Sequence, residues 1–262
     1  MVLSCTKTME VRFSEAGVFK KIVDGMREMI TETNLDCSSD GMTLQCMDSN
    51  HVALVSLQLY VRAFVHYTCK RDLSIGINVN TLWKMLKCGN NDDILTLAYD
   101  DGDILTLMFE SPNGSSISDF QMKLMDIDTE QLGIPETEWA ASVTMPSAEF
   151  QRICKDMAVI GDTLSIYVDR QCIKFSVNGE MGTGNTTLMP GGETITMQCV
   201  QEVGTLTFAL RYLNLFTKAT PLADTVTLHL SENVPLLVEY TIRDMGRIQF
   251  YLAPKMDEHS TS

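Results

Sequence analysis

Residues Ala16–Met26 read A-G-V-F-K-K-I-V-D-G-M, and about 130 residues later Ala148–Met157 read A-E-F-Q-R-I-C-K-D-M. In the first stretch Val18, Phe19, Ile22, Val23 and Met26 recur at helical spacing, which leaves Lys20 and Arg27 on the other side and Lys21 at its flank. In the second, Phe150, Ile153, Cys154 and Met157 form the apolar stripe, while Arg152 and Lys155 stand three apart on the opposite face. Each helix therefore has an aromatic-aliphatic side to bury and a basic side left over. The spacing predicts helices over Ser14–Ile30 and Ser147–Ala158, the second capped by Ser147 after Pro146.

The duplication extends outward from these two stretches. A short helix is expected at Asn80–Cys88, with Leu82, Met85 and Leu86 apolar and Lys84 and Lys87 opposite. Another is expected at Leu210–Lys218, with Leu210, Leu213 and Phe216 apolar and Arg211 and Lys218 lined up seven apart. Two alternating segments follow each short helix, within Ile94–Glu110 in the first half and Thr225–Ile242 in the second. Elsewhere the chain reads as strands: Thr43–Met47, Ala53–Tyr60, Thr163–Val168, Ile173–Val177, Thr194–Cys199, Thr205–Leu210 and Ile248–Leu252 are rich in Thr, Val, Ile, Leu and aromatics. Many strands with four helices predict an α+β fold, two similar domains of antiparallel sheet with helices packed on one face. The expected boundaries are an N-terminal extension 1–8, a first domain 9–123, a connector 124–140, a second domain 141–256 and a tail 257–262. The connector carries five acids in Leu124–Glu138, yet also Leu124, Met125, Ile127, Leu132 and Ile134, more apolar side chains than a free linker needs. It is expected to lie on the surface and help to form a groove.

Charge sharpens the functional question. The 262 residues contain 34 acids and 20 bases, a net −14. The four helical windows hold nine bases against five acids, a local +4, so the remainder carries −18. Segregation of this kind suits helices that face a polyanion on a protein whose other surfaces stay acidic. No run reaches the 18 apolar residues of a membrane span and the start shows no signal-peptide core, so a soluble intracellular protein without membrane partners is expected. The eight cysteines, never closer than nine residues, offer no CxxC pair and are expected as free thiols, mostly in the core.

Catalytic signatures are missing. There is no GxxxxGK[ST] loop, and Gly179-Glu-Met-Gly-Thr-Gly-Asn185 lacks the lysine and helix that cradle a phosphate, reading instead as a turn between strands. His51, His66, His229 and His259 show no paired-ligand spacing. These eliminations favour a binding device over an enzyme, with no cofactor and no metal.

Four longer runs carry a resemblance: Leu44-Gln-Cys-Met-Asp-Ser-Asn-His-Val52, Lys123-Leu-Met-Asp-Ile-Asp-Thr-Glu-Gln-Leu-Gly-Ile-Pro-Glu136, Leu206-Thr-Phe-Ala-Leu-Arg-Tyr-Leu-Asn-Leu-Phe-Thr-Lys-Ala-Thr-Pro-Leu222 and Tyr251-Leu-Ala-Pro-Lys255. Through them the chain resembles the proliferating cell nuclear antigen family, the eukaryotic DNA sliding clamps, nearly end to end. The resemblance implies three chains closing head to tail into a ring, with sheets outside and helices lining the hole. It implies a nuclear, non-enzymatic homotrimer that encircles duplex DNA without reading sequence, tethers a DNA polymerase, is opened by a clamp loader and docks replication and repair proteins. The implied DNA-facing bases are Lys20, Lys21, Arg27, Lys84, Lys87, Arg152, Lys155, Arg211 and Lys218. A groove for short aliphatic-aromatic peptides is implied at Met47, His51, Val52, Leu132, Ile134, Pro135, Pro235, Tyr251, Leu252, Ala253 and Pro254. For Leu252 or Val52 alone, a core role is the competing reading. Subunit contact is implied between edge strands Ser115–Lys123 and Gly182–Met189, through Ile117, Phe120, Thr183, Asn185 and Thr187.

Departures from the family pattern are local. The start is about seven residues longer than usual, Ser116 replaces a pore base, Phe120 stands for the interface tyrosine, Met189-Pro-Gly-Gly-Glu193 shortens an acidic loop, and Arg170 occupies the ubiquitin-acceptor lysine position. A clamp-like scaffold that trimerises weakly, or with unlike chains, is the alternative these departures raise.

Overall fold

The computed structural model describes residues 7–128, 132–134, 137–191 and 194–255. The chain divides into two compact units, one of Met1–Ser49, Ser56–Leu132 and Ile242–Arg247, the other of Asn50–Val55, Gly133–Thr241 and Ile248–Ser262.

The first half of the chain runs β1 (Met9–Phe13), α1 (Ala16–Met26), β2 (Glu32–Ser38), β3 (Gly41–Met47), β4 (Ala53–Tyr60), β5 (His66–Cys69), β6 (Leu73–Asn78), α2 (Val79–Leu86), β7 (Ile94–Tyr99), β8 (Ile104–Glu110) and β9 (Ile117–Lys123). The second half repeats the order as β10 (Ala141–Pro146), α3 (Ser147–Ile160), β11 (Thr163–Val168), β12 (Ile173–Gly179), β13 (Gly182–Leu188), β14 (Thr196–Cys199), β15 (Val203–Ala209), α4 (Leu210–Phe216), β16 (Thr225–Leu230), β17 (Leu236–Ile242) and β18 (Gly246–Leu252). Strand neighbours match as well as order. The first half gives β5-β1-β7-β8-β9 and β4-β3-β2-β6; the second gives β14-β10-β16-β17-β18 and β13-β12-β11-β15. The registers are antiparallel, with Met9 opposite Tyr99 in one half and Ala141 opposite Leu230 in the other. The duplication read from the helices is thus a duplication of topology.

Alternation explains the strands. β1 and β10 bury every second side chain, Met9, Val11 and Phe13 in one and Ala141, Val143 and Met145 in the other. Helices α1 and α3 lay Phe19, Ile22, Val23 and Met26, and Phe150, Ile153, Cys154 and Met157, into the cores beside them. Removing one such phenylalanine from water contributes about 1.5–3 kcal/mol.

Helix ends depart from expectation. α1 stops at Met26, where the amides of Met29 and Ile30 both turn back to the Met26 carbonyl. Ser147 is the first residue of α3 rather than its cap; its hydroxyl donates to the Ala223 carbonyl instead. α4 ends at Phe216, and Pro221 lies in the 3₁₀ turn Thr217–Leu222 that follows, so Lys218 is not on the helix. The cysteines also differ from the reading. Among the described residues seven are free thiols, but only Cys37 and Cys154 are buried and Cys88 is exposed. No helix among the described residues is long and apolar enough to cross a membrane.

Candidate functional site

The duplication supplies an internal control for the basic helices. Aligning Phe19 with Phe150 places Lys20 against Gln151 and Lys21 against Arg152. Lys21 and Arg152 are both exposed. Lys20 is not: it is 9% exposed, and its ammonium donates to the Gly89 carbonyl at 2.7 Å and to Asn91 Oδ1 at 3.2 Å. Gln151 does the same in its own unit, donating from Nε2 to the Thr217 carbonyl at 3.0 Å. Each side chain ties the long helix to the segment after the short one. Other bonds follow that seam, including Gly17 N–H to Asn91 O at 2.8 Å and Ser147 N–H to Asp224 O at 2.9 Å. Lys20 is therefore corrected from a DNA-facing base to a seam residue, the periodicity having assigned a side by angle where the loop 89–91 folds over it. Burial lowers its pKa, opposed by the carboxylate of Asp93.

Two of the remaining bases, Arg27 just past the end of α1 and Lys87 just past the end of α2, converge on one ring. The Arg27 guanidinium carbon lies 5.2 Å from the Trp83 centroid and the Lys87 ammonium 5.1 Å. Arg27 also pairs with Asp24 at 2.6 Å and Glu28 at 3.5 Å. Lys84 is exposed. A cavity of about 480 Å³ opens here, lined by Lys20, Lys21, Asp24, Trp83, Lys87 and Asn91 among others. Asn78 holds the start of α2, its Oδ1 accepting from Thr81 N–H at 2.9 Å.

On α3 and α4 the bases have different partners. Arg152 grips Glu149 at 2.5 Å and Asp156 at 2.8 Å, which holds the Glu149 carboxyl below its ordinary range. Lys155 is exposed. Arg211 lies 4.8 Å over the Tyr212 ring. Lys218 sits half-buried on the 3₁₀ turn.

The predicted groove residues fall partly in each unit. In the first, β3 ends at Met47, and Gln45 on the same strand clamps the connector: its Nε2 donates to the Leu132 carbonyl at 2.9 Å and its Oε1 accepts from Leu132 N–H at 2.8 Å. The connector's start is fixed on the same unit, where Asn34 Nδ2 donates to Ile127 O at 3.0 Å and Met125 N–H to Gly76 O at 2.9 Å. A Cβ at position 76 would overlap the Met125 carbonyl oxygen, so this approach requires glycine. Gln45, Asn34 and Gly76 carry the connector and were not legible as such, because a polar side chain in a strand reads as an ordinary solvent-side residue. Leu132 and Ile134 are exposed. In the second unit, His51 is exposed in the left-handed region at φ 56°, and the Val52 carbonyl accepts from Ala253 N–H at 3.1 Å. Tyr251 and Pro254 are half-buried, and Pro235 and Ala253 exposed. Leu252 is 0% exposed: the alternation of β18 turns it into the core, and it is removed from the groove. Pro135 lies outside the described residues.

The candidate interface strands both end their sheets, β9 the sheet β5-β1-β7-β8-β9 and β13 the run β13-β12-β11-β15. Ile117 is 64% exposed, Phe120 packs 5.9 Å from Phe109, and Thr183, Asn185 and Thr187 face solvent, with Asn185 Oδ1 accepting from Ser176 Oγ at 2.8 Å. Among the described residues no cluster of His, Cys, Asp and Glu could hold a metal ion.

The two halves of the chain are thus topologically matched α+β arrangements, each with a pair of basic helices, in an acidic chain. The family model "Proliferating cell nuclear antigen, N-terminal domain" matches residues 8–131, and "Proliferating cell nuclear antigen, C-terminal domain" matches 133–255. The chain belongs to the proliferating cell nuclear antigen family, whose members are non-enzymatic clamps of DNA replication.

Proposed function

We propose that this chain forms a homotrimeric ring in the nucleus that encircles duplex DNA, tethers a polymerase and docks replication and repair proteins. The observation that carries the reading is the matched strand order. β18 corresponds to β9 and β4 to β13. Within the second unit the segment opening β4 already bonds to the end of β18, Ala253 N–H to Val52 O. The edges of β9 and β13 are the two halves of that same pairing, left over for neighbouring copies. Repeated head to tail with a rotation that closes after three copies, such contacts make a ring.

Lys21, Arg27, Lys84, Lys87, Arg152, Lys155, Arg211 and Lys218 would attract phosphates without reading bases, as sliding demands. Met47, His51, Val52, Leu132, Ile134, Pro235, Tyr251, Ala253 and Pro254 would receive the aliphatic and aromatic anchors of a partner peptide. Topology gives the test. Loaded by a eukaryotic clamp loader onto nicked circular DNA, the protein should stay bound through gel filtration in moderate salt and run off when the circle is linearised. Loss at the same rate from circular and linear DNA would leave a scaffold that binds partners without encirclement.

A further inference from the structure

Trp83 is the fifth residue of α2, and the fifth residue of α4 is Asn214, whose Nδ2 donates to Leu210 O at 3.1 Å on its own helix and to Cys154 O at 3.4 Å on α3. The duplication thus places this position where a short helix meets its long neighbour. In the first unit an indole stands there, half-buried on the wall of the cavity that also holds Lys21 and Lys87. Arg27 reaches it from the end of α1 and Lys87 from one turn further along the chain, just past the end of α2, at 5.2 and 5.1 Å from the ring centroid. Both distances lie inside the roughly 6 Å over which an aromatic quadrupole attracts a cation. Asp24 and Glu28 hold the guanidinium of Arg27 as well, so it is fixed by carboxylates and ring together.

We propose that Trp83 is a positioning residue for nucleic acid, its ring gathering Arg27 and Lys87 into a pre-set pair of cations for the DNA backbone. A loose lysine or arginine side chain gives up rotamer freedom when it docks on a phosphate; a side chain already held on a ring has given up part of it beforehand. This role rests on the reading that α1 and α2 face duplex DNA.

Trp83→Leu and Trp83→Phe separate the ring from its bulk, since both keep an apolar side chain and only the second keeps a π face. Two measurements apply to the full-length protein. In the first, reductively ¹³C-methylated lysines are followed by NMR; the Lys87 signal, identified by its loss in Lys87→Arg, should carry a ring-current shift that Trp83→Leu abolishes and Trp83→Phe largely keeps. In the second, duplex binding is measured across a salt series. Trp83→Leu should weaken binding by about three- to tenfold and lower the log–log salt slope by roughly one, while Trp83→Phe retains most of both. An unshifted Lys87 signal in the unmutated protein, unchanged DNA binding in Trp83→Leu, or equal losses in the two variants would each overturn the role. If Trp83→Leu does not fold, Trp83→Met, which also lacks a π face, supplies the same comparison: a larger DNA-binding loss from Lys87→Gln where the tryptophan is kept than in the Trp83→Met background supports the role, and equal losses overturn it. The control Lys84→Glu with Lys155→Glu separates the two levels. If that pair leaves DNA binding intact, the DNA-facing reading fails and takes this role with it; if the pair weakens binding and Trp83→Leu does not, the Trp83 role alone falls.

Discussion

The seam between α1 and α2 and the seam between α3 and α4 are built on one plan from different chemistry. Both long helices send a side chain to a backbone carbonyl beyond the short helix, but one sends the cation Lys20 and the other the neutral Gln151. Both hold an arginine between two carboxylates, Arg27 by Asp24 and Glu28 and Arg152 by Glu149 and Asp156, but only in the first does an indole lie under that arginine and under a second base, Lys87. A basic residue at the right helical angle is therefore not yet a DNA contact. What the loop after the short helix covers, and which carboxylates lie within reach, decide how much of its charge faces outward.

The largest expected effect removes charge from both seams together. Lys84→Glu with Lys155→Glu should weaken duplex binding on the order of a hundredfold at 50 mM salt and lower the salt slope by about one for each lost phosphate contact, with the mass in solution unchanged. Unchanged DNA binding would show that neither helix pair faces DNA.

Lys20→Ala leaves the Gly89 carbonyl and Asn91 without their donor and should cost about 1–3 kcal/mol in urea unfolding. Lys20→Gln, which copies the second unit, should cost visibly less. Neither should alter the DNA salt slope, and a slope lowered by one in Lys20→Gln would return Lys20 to the DNA-facing set.

Among the groove residues, Ile134 lies on the connector and outside the three sheets. Ile134→Ala should lose roughly 1–3 kcal/mol of peptide affinity, the range for an interface anchor, with little change in melting temperature. Weakened folding with affinity unchanged in the folded fraction would make it a core residue. The smallest effect concerns His229, half-buried beside Trp139 with Nδ1 2.8 Å from Ser142 Oγ. Burial lowers its pKa, and the Glu239 carboxylate opposes this in part. The unfolded chain therefore binds this proton more readily, so the stability His229 contributes is present above about pH 6.5 and lost as pH falls toward the folded pKa. His229→Gln should flatten the urea-unfolding profile in that window; a profile as steep as the unmutated one would contradict it.

Much of the fold was legible because its signals are local. Ala53–Tyr60, Ile94–Tyr99, Ile104–Glu110, Thr163–Val168, Thr225–Leu230 and Leu236–Ile242 stand in the structure as the sequence predicts, since alternation and flanking turns define them. Helix ends were less so: Met29 and Ile30 are buried and apolar like helical residues, but they belong to the turn after α1. The site was legible by residue type and not by contact. Nothing near Lys20 in sequence announces a carbonyl 69 residues away, and Leu252 differs from its groove neighbours only by the parity of its strand. The clamp of Gln45 on Leu132 is likewise a long-range pairing that no periodicity encodes.

If β9 and β13 complete one another between copies, the mass in solution will show it. By light scattering at micromolar concentration the protein should run as a single species about three times the 29.2 kDa chain. A monomer of 29.2 kDa under the same conditions would contradict it.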